Sequence, residues 1–68
     1  MKYTATLKDK TGVWHGSGDT DYAAVMNALK LYPDTDQTQC ALSVWQVYDN
    51  DVILIYCKTL SKYFDDIS

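Results

Sequence analysis

The residues able to do chemistry are few, and their spacing limits what they can do. His15 is the single histidine and stands two residues before Ser17 in the stretch "HGSGDT". A His–Ser or His–Cys pair becomes a nucleophilic centre only when a third group orients the imidazole. With one His and no Glu, the chain offers little for general acid–base work at neutral pH. His15 therefore reads as a histidine at a strand edge. The same stretch has the glycines of a loop that seats phosphate at a helix N-terminus. It lacks the full GxGxxG pattern and puts Asp19 and Asp21 where an anion would sit. The expectation is a flexible connector ending in a helix cap.

Carboxylates recur as Asp-x-Asp at Asp19/Asp21, Asp34/Asp36 and Asp49/Asp51, with Asp65 and Asp66 adjacent near the end. Such pairs can hold Ca²⁺ or Mg²⁺, but none continues into the calcium-loop pattern of Gly at the sixth position and Glu at the twelfth. They fall where turns and caps are expected, and Asp is favoured there for its own hydrogen bonding. Two cysteines and one histidine are too few for a zinc site. No catalytic residue, metal or cofactor is assigned, and the chain is not expected to be an enzyme.

Charge narrows the partners. All nine acids are Asp and all six bases are Lys, giving a net charge of −3 and an isoelectric point near 4.6. Phosphate backbones call for clustered bases, and the Arg fork is missing, so nucleic acid is an unlikely ligand. Trp14, Trp45 and the six tyrosines could stack unpaired bases on a sheet, which keeps single-stranded nucleic acid as the alternative class. An acidic surface made of Asp34, Asp36, Asp49 and Asp51 could instead imitate nucleic acid towards a basic partner. No apolar run approaches the ~18 residues that cross a bilayer, and the alternating N-terminus is unlike a signal peptide. The expected setting is the cytoplasm, without membrane contact.

The elements that position these residues follow from periodicity. Sixty-eight residues make one domain over 1–68. Tyr3, Ala5 and Leu7 alternate with Lys2, Thr4, Thr6 and Lys8 as in a half-buried strand. Asp9-Lys10-Thr11-Gly12 suits a type I turn, and Val13-Trp14-His15 should pair back before "GSG" ends that strand. Asp19 or Thr20 then caps a helix whose stripe is Tyr22, Val25, Met26, Leu29 and Tyr32, stopped by Pro33. "PDTDQTQ" is a polar loop. A second hairpin runs from Cys40 to Tyr48 and from Val52 to Leu60. The predicted fold is α+β: a four-stranded, mainly antiparallel sheet in the order β-β-α-β-β, with one amphipathic helix on one face. Residues 61–68 extend the last strand, form a helical turn or fray.

The second hairpin poses the functional question. Turning about Asn50, it sets opposite each other residues whose numbers sum to about 99–100. Cys57 then faces Leu42 or Ser43 rather than Cys40, and at ~3.3 Å per residue the two thiols should stay free. Either register leaves apolar side chains on both faces, because a one-residue slip merely exchanges them. One helix covers one face. The other is expected to present Trp45 and Val47 beside Leu54 and Tyr56, or beside Ile53 and Ile55. Such a patch usually marks an interaction surface, unless Tyr63, Phe64 and Ile67 of the tail fold under it. The functional expectation is a small protein–protein interaction module. Its partner is its own copy in a homodimer or a foreign protein, in the manner of phage- or mobile-element-encoded binders that inhibit a larger machine.

Overall fold

The computed structural model describes residues 2–32 and 40–67. The element order is β1 (Lys2–Asp9), β2 (Gly12–Gly18), α1 (Asp21–Leu29), β3 (Ala41–Tyr48), β4 (Asp51–Thr59) and α2 (Leu60–Ile67). The strands form one antiparallel sheet in the order β2-β1-β3-β4. This is the α+β sheet expected from the periodicity, with a second helix at the tail. No helix among the described residues is long and apolar enough to cross a membrane. Pro33 and the "PDTDQTQ" segment lie outside the described residues.

The first hairpin closes through Lys10 and Thr11, with Asp9 paired to Gly12. Asp9 holds the turn by accepting from the Thr11 amide at 2.7 Å and the Thr11 hydroxyl at 2.6 Å. β2 does not end at the glycines; it runs through Gly16-Ser17-Gly18 to the start of α1. The expected flexible connector is therefore strand. Only there can the helix come close, because a Cβ on Gly16 would lie 2.1 Å from the Ala28 nitrogen and 2.6 Å from the Ala24 carbonyl oxygen. One on Gly18 would lie 2.7 Å from the Ala23 Cβ.

This approach rotates α1 away from the stripe its large residues suggest. Ala24, Val25 and Ala28 are fully buried, Met26 and Leu29 pack at the border, and Tyr22 is half exposed. Small residues win the contact because only they let a helix backbone meet a strand backbone. Thr20 caps α1 by accepting from the Ala23 amide at 3.1 Å, the oxygen acceptor an N-cap needs. The helix ends at Leu29, earlier than expected. Leu31 and Tyr32 donate to the carbonyls of Ala28 and Leu29 in a tightened final turn. That turn delivers Tyr32 edge-on to Trp14, with ring centroids 4.7 Å apart, and its hydroxyl donates to Asp9 at 2.5 Å.

α2 lies on the same side as α1, since Leu60 and Tyr63 join Ala24, Val25, Leu7 and Leu42 in one core. Thr59 caps it by accepting from the Lys62 amide at 3.1 Å. Asp66 accepts from Lys58 at 2.9 Å and pairs with Lys62 at 3.2 Å. The expectation that Tyr63, Phe64 and Ile67 could cover the second face is thereby corrected. Tyr63 is buried and Phe64 packed on the helix side, while Ile67 is half exposed.

Two tests follow from this packing. Gly16→Ala drives a methyl group into the helix backbone and should cost about 3 kcal/mol or more, the upper range of overpacking. Gly12→Ala meets only the Trp14 ring at 3.4 Å, has no positive φ to lose, and should be neutral or stabilising by up to ~1 kcal/mol. Denaturant titration followed by circular dichroism separates the two. The second test concerns acid. Hydrogen bonds from Thr11 first, and then from Tyr32, hold the Asp9 carboxyl below its ordinary value, and Lys58 does the same for Asp66. A depressed carboxyl stabilises fully above its unfolded value of ~3.9 and loses that contribution as pH falls through the folded value. Melting temperature should therefore drop below about pH 4, and Asp9→Asn should make that drop shallower, leaving the part due to Asp66.

Candidate functional site

The face of the sheet turned away from both helices is the candidate site. Strand alternation places there Thr4, Thr6 and Lys8 of β1 and Val13, His15 and Ser17 of β2. β3 supplies Ser43, Trp45 and Val47, and β4 supplies Val52, Leu54 and Cys57. Trp45 pairs with Thr4 on one side and Leu54 on the other; Val47 pairs with Lys2 and Val52. Val52 and Leu54 are each about half exposed, at 53% and 47%. Thr4, Thr6, His15, Trp45, Val47 and Val52 line an open, shallow depression of about 370 Å³.

The membership of this face depends on a β-bulge. Near the turn the pairs sum to 99, as in Trp45 with Leu54 and Val47 with Val52. Beyond it they sum to 100, as in Val44 with Tyr56 and Ser43 with Cys57. Ile55 is the extra residue between the two registers, which is how one inserted residue exchanges the faces of a strand. Both registers allowed by the sequence are thus used, one on each side of Ile55. Trp45, Val47 and Leu54 fall on the outer face as one alternative proposed. Tyr56 does not. It lies opposite Val44 on the helix side, stacks on Tyr63 at 6.2 Å and donates to Asp21 at 3.3 Å. Burial, and then the Asp21 charge, push its hydroxyl pKa well above the ordinary tyrosine value. Val52 takes the position expected for Tyr56, a residue visible only once the bulge is known.

The polar groups on this face are tied to one another. Thr6 Oγ1 lies 3.1 Å from His15 Nδ1, and Thr4 Oγ1 lies 3.3 Å from Ser17 Oγ. The Ser43 hydroxyl donates to the Cys57 sulfur at 3.4 Å. His15 is thus engaged by a threonine hydroxyl rather than by a carboxylate. The one-sided charge was missed from the sequence: every strand position on this face that ionises is Lys2, Lys8, His15 or Cys57, and none is acidic. Period-two alternation from Lys2 to Lys8 carried that signal. Asp49 sits in the β3–β4 turn and Asp51 opens β4, both exposed; Asp34 and Asp36 lie outside the described residues. Among the described residues no group of three His, Cys, Asp or Glu side chains is placed to hold a metal ion.

No family model, curated protein or solved structure matches this chain.

Cys40 is fully buried and Cys57 exposed, both as free thiols, and burial pushes the Cys40 thiol pKa up. Because the thiolate is the reactive form, a disulfide-exchange reagent should titrate one thiol per native chain. The second should react only on unfolding, and Cys57→Ser should abolish the fast phase.

Proposed function

We propose that the protein is a non-enzymatic protein–protein interaction module that docks the outer face of its sheet on another protein. The observation that carries this reading is an apolar cluster of Trp45, Val47, Val52 and Leu54 on a face that neither helix covers. Large exposed apolar patches are uncommon on monomers and mark contact sites. An aromatic anchor beside aliphatic side chains, rimmed by Thr4, Thr6, Ser17 and Ser43, has the anatomy of an interface centre with a polar border. Val52 and Leu54 are about half exposed and Trp45 and Val47 less so, so covering each contributes at most about 1 kcal/mol, half of the value for full burial. A domain near the lower size limit gains appreciably from that. The partner is a larger foreign protein, or a second copy. Size and acidic character suit a phage- or mobile-element-encoded binder acting in the cytoplasm.

A second reading, single-stranded nucleic acid on the same face, is favoured by one observation: Lys2, Lys8 and His15 share that face with Trp45 without an acid among the strand positions there. Stacking on Trp45 with flanking positive charge is how sheets bind unpaired bases. The net charge of −3 opposes approach of a polyanion and places this reading second.

A photo-crosslinking residue at Val47, compared with one at exposed Lys30 just past α1, separates the readings in extracts of the native host. Crosslinks to one protein from position 47 only, lost on Trp45→Lys, are expected. Crosslinks to nucleic acid, with quenching of Trp45 by oligothymidylate in a Trp14→Phe background, would replace the first reading by the second. Equal labelling from both positions would sink both.

A further inference from the structure

We infer that a second copy of this chain docks along the free edge of β4, joining two four-stranded sheets into one continuous antiparallel sheet of eight. The proposal concerns the strand edge, a different surface from the outer face, and does not require the partner assigned to that face.

β4 is an edge strand, beside β3 on one side only. Edge strands in natural proteins are blunted with Pro, Lys, inward charges or bulges; β4 has the bulge at Ile55, but from Val52 to Cys57 it carries no charge and no proline. Val52, Ile53, Leu54 and Ile55 are consecutive and each close to half exposed, from 44% to 53%. A strand paired beside β4 would shield these side chains on both faces through cross-strand contacts.

Two features select a second copy over a foreign strand. The first is charge. β4 opens on Asp51 and carries Lys58 near its end, with only uncharged residues between them. Antiparallel pairing about a two-fold axis near Leu54 and Ile55 brings Asp51 alongside the second copy's Lys58, twice, and apolar against apolar at the centre. Opposite charges across such a pair are favourable. The second is cover. The far half of β4 lies against α2, through the Tyr56–Tyr63 stack and the Lys58–Asp66 ion pair, whereas the half from Asp51 to Ile55 is bare. Reversal about the two-fold sets each bare half beside the other copy's helix-bearing half. The same operation keeps both outer faces on one side, doubling the surface that carries Trp45.

Light scattering on the full chain over micromolar to millimolar concentration, with hydrogen exchange at each concentration, tests this. Expected is a rise from 7.7 kDa to twice that mass, with slowed exchange in β4 and none in β2. Ile53→Lys should hold the mass at one chain with an unchanged circular dichroism spectrum, and Trp45→Lys should leave the dimer intact. Should Ile53→Lys not fold, Ile55→Lys, at the bulge and outside the outer-face cluster, supplies the same readout. A single-chain mass at millimolar concentration overturns the edge proposal and leaves the face reading standing. A dimer broken by Trp45→Lys but not by Ile53→Lys also overturns it, and means that a second copy closes the outer face. Slowed β4 exchange only with an added foreign peptide would assign the edge to that peptide and overturn self-pairing.

Discussion

The closeness of α1 to β2 is the constraint from which the rest of the molecule follows. Gly16 and Gly18 leave no Cβ between strand and helix, so the Ala24–Ala28 side of α1 rests on the strand backbone itself. A helix seated that low must present small residues, and Ala24, Val25 and Ala28 are what it buries. Its position over β2 and β1 leaves the helix side of β3 and β4 to be closed by something else. α2 does that with Leu60 and Tyr63, tied by the Leu60 amide donating to the Cys40 carbonyl at 2.9 Å. Both helices are then committed to one face. The uncovered outer face is a consequence of that commitment.

The bulge at Ile55 is the second determinant. It turns the strand over partway along, so Tyr56 goes inward to Tyr63 and Asp21 while Leu54 stays outward beside Trp45. Without it the strand would keep one phase throughout, and either Tyr56 would leave the core or Leu54 would leave the outer cluster. The bulge also divides β4 into a helix-supported half and a bare half.

Charge is distributed with equal one-sidedness. Asp9 locks the first turn, Asp21 opens α1, Asp49 sits in the second turn and Asp66 of α2 is held by Lys58 of β4 and Lys62. Aspartate does these tasks because its short carboxylate reaches neighbouring backbone amides. Spending the acids at turns and helices leaves the outer face with lysines and a histidine only. A net charge of −3 thus says little about the sign of the potential where contact would occur, since field at a surface is set by the nearest groups.

Alternation in Lys2–Lys8, the turn at Asp9–Gly12, a helix cap at Asp19 or Thr20 and the two-faced second hairpin are all local patterns, legible in the sequence together with the α+β class. Local periodicity suffices for such features because they depend on residues a few positions apart. The buried side of α1, the extension of β2 through Gly16-Ser17-Gly18, the bulge and the side taken by α2 depend on residues distant in the chain. Large side chains made Tyr22 look like core, but contact distance to a glycine strand chose the alanines. Register in β4 was open between two values, and the structure uses both. Only tertiary packing could decide these, because each trades a local preference against a backbone approach that no window of sequence contains.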